Sequence, residues 1–123
     1  MDWQISFLEE EQIVVLETAG RLDPTQSLAM AREGLAAGQQ RGWRRGLIDH
    51  SRITFMEEST LAMYQRPGEL HRLGMLPYFR VAEVVPAALA GAFEFLETVS
   101  ANRGFQIRVF ADRAAALRWL LAD

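Results

Sequence analysis

The sequence predicts an α/β domain with a mixed sheet of about five strands and four or five helical segments, packed mainly on one face. Half of the 123 residues are hydrophobic, which is enough for one core. Segments with strand-type patterns alternate with helix-type segments along the chain. No repeat, low-complexity tract or linker interrupts this order, so we expect residues 1–123 to form one domain.

The first two strands are expected to form a hairpin. Residues 3–7 alternate apolar and polar side chains, which predicts a half-buried strand. Residues 9–11 are all glutamate, too charged to bury, and indicate a turn. Residues 13–16 are continuously apolar and predict a second strand that pairs back on the first.

The first helix is predicted to follow a stop at residues 20–22. Asp23 is a good N-cap, and Pro24 fits the first helical position, where its missing N–H costs nothing. Gly34 and Gly38 are expected to pack closely on the sheet, because their polar surroundings do not fit a membrane-type helix pair. The expected inward face consists of Leu28, Ala31, Leu35 and Ala36.

The remaining segments continue the alternation of strands and helices. Strands are predicted over residues 43–49, 80–85 and 105–110, and helices over residues 61–73, 87–101 and after Asp112. We expect Pro67 and Gly68 to interrupt the first of these helices. In the last helix, the residues expected to point inward are Ala116, Leu117, Leu120 and Leu121.

Composition excludes several functional classes. The net charge is −3 with acids and arginines interspersed, so no basic face for nucleic acid is expected. Without cysteine there are no thiol nucleophiles, disulfides or thiolate metal sites. All thirteen basic residues are arginine, which excludes a Schiff-base lysine. No apolar run of about 18 residues occurs, so we expect a soluble cytoplasmic protein without a membrane span.

Residues 47–61 are the most informative stretch for function. They read as a buried strand, a polar loop and a helix start, which would place acids and hydroxyls at the carboxyl end of a strand. The candidate site residues in this stretch are Asp49, Ser51, Glu57, Glu58, Ser59 and Thr60. Two interpretations stand side by side: these acids only open a helix, whose positive end they suit, or they form a regulatory surface.

Three segments resemble the STAS domain, the fold of anti-sigma-factor antagonists and of sulfate-transporter tails. Residues 20–23 (GRLD) are similar to the turn before its first helix. Residues 48–61, which include FMEESTL, resemble the family's D-x-S…F-M-D-S-S-G-L segment. Residues 108–120 resemble its V-F-x-D…A-L-x-W-L ending, and with residues 80–85 they look closest to the SpoIIAA-like (STAS/SEC14-like) branch.

This resemblance implies a non-catalytic regulatory or protein-interaction module, with Asp23 added to the site. A regulatory kinase or an anti-sigma-like protein would be the partner. In the antagonists, the serine after the acidic residue is phosphorylated; here Glu58 occupies that position and cannot accept phosphate. Its single charge mimics only part of a phosphoserine, which carries about −1.5 to −2. Thr60 replaces the family's glycine, and Ser59 is an adjacent hydroxyl.

Residues 63–79 are rich in apolar and aromatic side chains around two prolines. They cover either the core or a partner or apolar ligand. The candidates for a ligand or interface role are Met63, Tyr64, Met75, Tyr78 and Phe79. The alternative function is therefore a small binding protein for an apolar, lipid-like or anionic ligand, as the SEC14-like branch implies. We also expect a homodimer, formed through this segment or through the edge strand near Trp3.

No catalytic, metal or cofactor site is predicted. Asp49, His50 and Ser51 are neighbours in sequence, but neighbours on a strand point opposite ways and do not make a triad. His71 has no second histidine four residues away, as a helical metal site would require.

Overall fold

The computed structural model describes residues 1–57 and 60–122. In these residues a five-stranded sheet has the order β1-β2-β3-β4-β5 and is accompanied by four helices. The strands are β1 (Asp2–Leu8), β2 (Ile13–Leu22), β3 (Arg45–Met56), β4 (Arg80–Val84) and β5 (Gln106–Phe110). The helices are α1 (Pro24–Arg41), α2 (Thr60–Arg72), α3 (Ala90–Asn102, preceded by the 3₁₀ turn Ala87–Leu89) and α4 (Arg113–Leu121). The predicted α/β class and mixed sheet are confirmed.

The sheet combines one hairpin with parallel strands. β1 pairs antiparallel with β2, from Asp2 opposite Ala19 to Leu8 opposite Ile13, which confirms the predicted hairpin. The other neighbours, β2–β3, β3–β4 and β4–β5, are all parallel. Helices connect these parallel pairs, as crossover connections require.

β3 is longer than predicted, because the expected loop after Asp49 continues the strand to Met56. β4 pairs with β3 only over residues 45–49, whereas β2 stays paired with β3 up to Leu22 opposite Met56. The pairing ends with Glu57 N donating to Leu22 O at 2.8 Å. Residues 19–22 and 52–56 therefore form a two-stranded extension beyond β4, which we call the ribbon.

The helices cover the two faces of the sheet unequally. One core cluster joins α4, through Ala116 and Leu120, to strand residues that include Ile13 and Leu47. The clusters on the opposite face draw on α1, α2 and α3. Three helices on one face and one on the other confirm the prediction of packing mainly on one face.

In α4, the inward prediction is right for Leu120 and wrong for Leu121. Leu120 is fully buried and Leu117 is partly buried against the same core cluster. Leu121 is 44% exposed. With about 3.6 residues per turn, the residue after Leu120 is rotated by roughly 100° from the buried direction. Asp112 caps this helix as predicted, with Oδ1 accepting from Ala115 N at 2.8 Å.

The inward face of α1 contains the predicted close contact. A β-carbon on Gly34 would lie 2.8 Å from Cδ1 of Leu16, so any larger residue here would force the Leu16 side chain to move. The buried positions are Ser27, Met30 and Gly38. Ala36 is exposed, so its inward prediction is wrong: the stripe of positions 27, 30 and 38 faces the core and leaves Ala36 on the solvent side.

α2 runs without interruption through Pro67, contrary to the prediction. Pro67 lacks an N–H, but its ring is almost fully buried, so packing supports the helix at this position. None of the helices in the described part of the chain is long and apolar enough to cross a membrane.

The outer edge of β5 carries a side-chain hydrogen bond. Val109 N donates to Oε2 of Glu97 on α3 at 2.9 Å. The Glu97 carboxylate therefore occupies a backbone donor that a further strand would otherwise use.

Candidate functional site

Three large apolar side chains are exposed where the ribbon ends and α2 begins. Phe55 is 47% exposed, Leu61 63% and Tyr64 54%. Leu61 and Tyr64 are three residues apart on α2, a spacing that puts both on one side of the helix. Together with Arg21 and Glu57 they define what we call the ribbon-tip surface.

Arg21 links the polar and aromatic parts of the ribbon-tip surface. Its Nη2 donates to Oε1 of Glu57 at 2.8 Å, and its Cζ lies 4.4 Å from the centre of the Phe55 ring. The register of the ribbon explains both contacts, because Arg21 is directly opposite Phe55. Both charged side chains are well exposed, so the ion pair contributes little stability and serves to position the Glu57 carboxylate.

Asp23 has a structural role at the start of α1. Its Oδ1 accepts from Gln26 N at 2.9 Å, the N-cap bond predicted from the sequence. The carboxylate is thus engaged by its own helix and does not join the ribbon-tip surface.

Asp49 and Ser51 lie on a different part of the sheet from Glu57. The Asp49 side chain faces α4, where Nη1 of Arg113 is 3.4 Å from Oδ2, and Oδ1 accepts from Ser51 N at 2.9 Å. Arg113 also contacts Glu17, at 3.5 Å. From Asp49 to Met56 the strand covers about 23 Å if extended. The structure therefore divides the predicted group in two.

Of the four predicted site residues at the start of α2, the structure describes two. Glu57 follows directly after β3, and Thr60 is the exposed first residue of α2. Glu58 and Ser59 lie outside the described residues. Their proposed regulatory role stays a prediction.

The predicted ligand or interface residues of the 63–79 segment do not form one surface. Met63 and Met75 are buried in the core, at 2% and 1% exposure, so an exposed role does not fit them. Phe79 is half-buried. Tyr64 and Tyr78 are exposed, but they contact different arginines: Arg103 lies over Tyr64 and Arg44 over Tyr78.

A buried polar group that sequence reasoning missed connects β2, β3 and β4. Nδ1 of His50 is 2.7 Å from Oγ1 of Thr18, and Nε2 of His50 is 3.2 Å from Oε1 of Glu83. The Thr18 hydroxyl also donates to Asp49 O at 3.2 Å. All three residues are at most 5% exposed. No local sequence signal could reveal them, because 32 and 33 residues separate His50 from its two partners.

A hydroxyl, an imidazole and a carboxylate in series have the connectivity of a hydrolase triad. Catalysis also requires that a substrate reach the hydroxyl, and Thr18 is only 1% exposed and hydrogen-bonded to the backbone of Asp49. This arrangement therefore fits a structural network. No group of three or more potential metal ligands occurs within residues 1–57 and 60–122.

Comparison with solved structures relates this architecture to known proteins. The structure of the anti-sigma factor antagonist SpoIIAA in its unphosphorylated form matches with a TM-score of 0.58 at 17% identity, over 99% of this chain and 100% of that chain. An anti-sigma factor antagonist from Mycobacterium paratuberculosis matches with a TM-score of 0.60 at 15% identity, over 98% and 94%. The chain has a SpoIIAA-like fold.

A third SpoIIAA-like structure, an uncharacterized DUF3478 protein from Shewanella loihica, matches with a TM-score of 0.55 at 20% identity. The match extends over 97% of this chain and 92% of the Shewanella loihica chain. A scan of family models and a search of curated proteins found no match. At these identities the likeness concerns the fold, and it confirms at that level the resemblance read from the sequence.

Proposed function

We propose that this SpoIIAA-like chain is a non-catalytic regulatory module that binds a protein partner through the ribbon-tip surface. The fold is shared with proteins described as anti-sigma factor antagonists, which supports a regulatory role. A regulatory kinase and an anti-sigma-like protein are the kinds of partner that this likeness favours. The buried position of His50 and Thr18 supports a function that does not involve catalysis.

The observation that carries this proposal is the exposure of Phe55, Leu61 and Tyr64 close together in the chain. Large apolar side chains, and aromatic ones in particular, provide most of the binding energy at protein interfaces. The Arg21–Glu57 ion pair beside Phe55 supplies the polar rim that such interfaces have.

The acids beside this surface define the charge of the partner. Glu57 is exposed. From the sequence resemblance, we propose that Glu58 corresponds to the position that carries phosphoserine in the antagonists. Glu58 provides one fixed negative charge, so we propose a surface held permanently in a partly phosphoserine-like form. A partner with arginine or lysine opposite these acids would bind it, more weakly at higher salt. Ser59 is the hydroxyl left for a phosphorylation switch.

The test compares two sets of surface substitutions. The intact chain captures partners from an extract of its own organism, and their dissociation constants are then measured with purified proteins. We expect the combined variant Phe55→Ser, Leu61→Ser and Tyr64→Ser to bind at least about tenfold more weakly, as loss of interface anchors does.

The matched control is Tyr78→Ser with Leu121→Ser, which removes exposed apolar side chains outside the ribbon-tip surface. It should bind as the wild type does. Equal losses in both variants, or no loss in the first, would contradict the proposed surface.

A further inference from the structure

β1 forms one edge of the sheet, and β2 is its only strand neighbour in the described part of the chain. Along a strand, successive residues direct their backbone N–H and C=O groups to opposite sides, so one hydrogen bond of known direction fixes the direction of its neighbours. Arg44 O accepts from Arg80 N of β4 at 3.0 Å. Residue 44 therefore faces β4, and the next residue, Arg45, faces β2.

The same alternation can be followed from β3 to β1. Arg45 is paired with Ile13 in the parallel register, so it bonds to the residues on either side of Ile13, and Ile13 itself faces β1. Leu8, the antiparallel partner of Ile13, then faces β2, as does every second residue of β1 before it. The residues whose N–H and C=O groups point away from the sheet are Trp3, Ile5 and Phe7.

These outward backbone groups are available to another strand. No hydrogen bond joins them to any residue within 1–57 and 60–122. The β1 strand of a second copy can satisfy all of them in one antiparallel register, with Ile5 opposite Ile5 and Trp3 opposite Phe7. A shift of two residues in either direction places Phe7 or Trp3 opposite a residue outside β1. This register has a two-fold axis at Ile5, as a closed dimer requires.

Two charged residues of α1 contact the two ends of this edge. Nε1 of Trp3 donates to Oε2 of Glu33 at 3.0 Å, and Cζ of Arg41 lies 3.5 Å from the centre of the Phe7 ring. Glu33 and Arg41 are exposed, and neither forms an ion pair with a described residue. Positions 33 and 41 are separated by about 12 Å along the helix, so the two charges do not neutralise each other.

Antiparallel pairing makes these charges complementary. Because Trp3 of one copy lies opposite Phe7 of the other, Glu33 is brought to the same level of the interface as the second copy's arginine at position 41. The two-fold axis repeats this arrangement at the other end. Unlike charges then face each other and like charges stay apart, which favours this register. Trp3, Ile5 and Phe7 are half-buried on the α1 side, and a neighbouring strand would cover their exposed parts.

We propose that β1 is a self-association site. It pairs antiparallel with β1 of a second copy of this chain about an axis at Ile5, and Glu33 of each copy faces Arg41 of the other. The edge strand suspected from the sequence thereby acquires a defined register and a charge pair. No residue of the ribbon-tip surface belongs to β1 or α1, so this proposal does not rest on the proposed function.

Cysteine cross-linking tests the register, because the chain has no cysteine of its own. In the proposed pairing Gln4 lies opposite Ser6 of the second copy as a non-hydrogen-bonded pair, with Cα atoms about 4.5 Å apart, close enough for a disulfide. Gln4→Cys and Ser6→Cys are prepared separately, mixed and incubated with oxidised glutathione. We expect the mixture to form a disulfide-linked dimer.

The single variants and a position outside the interface are the controls. Two copies of Gln4→Cys place their thiols on a diagonal of about 7–8 Å, which is too long for a disulfide, and the same holds for Ser6→Cys. Each variant alone should therefore give at most about a tenth of the cross-linked product of the mixture. Gln39→Cys mixed with Gln4→Cys should give none, because Gln39 is exposed and its side chain approaches Gly74, beyond α2.

Charge reversal tests the Glu33–Arg41 pair across the interface. Glu33→Arg places two arginines at each end of the dimer and should raise its dissociation constant, measured by sedimentation, at least about fivefold. Arg41→Glu places two glutamates there and should have a similar effect. The double variant restores unlike charges and should recover most of the affinity. Arg32→Glu, which is also exposed on α1, is the control and should leave the dissociation constant unchanged.

Three results would overturn the proposal. One is a monomer at every concentration up to the high micromolar range. Another is equal cross-linking by Gln4→Cys alone and by the mixture, which would mean a different register. The third is a double charge variant that dimerises as weakly as Glu33→Arg, which would mean that Glu33 and Arg41 do not meet.

Discussion

Nε2 of His50 lies 3.2 Å from Oε1 of Glu83 in the interior of the protein. The parallel register places Glu83 opposite Ile48, so a side chain two residues further along β3 on the same face can reach it. When one member of a buried, hydrogen-bonded pair is removed, the polar atoms of the other are left without a partner, which is unfavourable. The pair therefore fixes how β3 and β4 fit together.

His50→Leu should lower the free energy of unfolding by about 1–3 kcal/mol, because Glu83 would stay buried without this hydrogen-bond partner. The double variant His50→Leu with Glu83→Leu should recover most of this loss. Urea denaturation of the wild type and of the single and double variants measures the coupling energy. Strictly additive losses would show that the two side chains do not interact energetically.

Leu120→Ala should cost about 2–5 kcal/mol of unfolding free energy, as is usual for a fully buried leucine. Leu121→Ala is the matched control in the same helix and should stay within about 0.5 kcal/mol. Denaturant melts of both variants provide the comparison. Similar values for the two would mean that α4 does not pack on the sheet through Leu120.

Asp23→Ala should destabilise the protein by about 0.5–2 kcal/mol, since it removes the N-cap bond to Gln26. Asp23→Ser keeps a capping oxygen and should restore nearly all of this stability. Partner affinity should be the same in both folded variants. Weaker partner binding by Asp23→Ser at unchanged stability would give Asp23 a direct role in recognition.

Glu58→Ser removes one charge and introduces a serine at the position proposed to correspond to the phosphate acceptor of the antagonists. Stability should change by less than about 0.5 kcal/mol if Glu58 is a surface residue. Partner affinity, measured at low and high salt, should fall, with the larger effect at low salt. Equal affinities of wild type and variant at both salt concentrations would mean that these acids serve only to begin a helix.

The predicted homodimer now depends mainly on β1, because Met63 and Met75 of the other suspected surface are buried. Sedimentation at micromolar concentrations should show a dimer. Gln4→Lys puts charge on this edge strand and should favour the monomer, while the exposed Gln40→Lys on α1 should not. A monomer for the wild type at all concentrations would remove the prediction.

Elements with a clear apolar period could be predicted from the sequence, and the end of β3 could not. Ser51, Arg52 and Thr54 are polar, so residues 50–56 read as a loop. They form a strand because β2 pairs with them up to Leu22 and because Ile53 is buried under α2 and α3. Both causes are tertiary, and neither leaves a local pattern. The same reason hides the continuity of α2 at Pro67, where burial of the ring outweighs the usual helix-breaking tendency.

The candidate site, too, could be predicted from the sequence only in part. The resemblance to the antagonists directed attention to Glu57 and its neighbours, and the structure adds Arg21 and Phe55 from the register of the ribbon. The sequence predicts a loop between Asp49 and Glu57, which would bring the two carboxylates into one group. Because these residues form a strand and not a loop, the carboxylates of Asp49 and Glu57 lie far apart along β3. His50, Thr18 and Glu83 meet only through strand order, which no motif encodes.

The Glu97–Val109 hydrogen bond makes the two margins of the sheet unequal. β1 and β5 are the two edge strands of the sheet. On β5 the Glu97 carboxylate already accepts a hydrogen bond from the backbone N–H of Val109. Two copies could pair through their β1 strands about a two-fold axis, which would join the two sheets into one. Each outer edge of that joined sheet would then be a β5 strand. Because those margins are obstructed, growth would stop at two copies. In such a dimer, the bond would hinder further edge-to-edge addition of copies through β5.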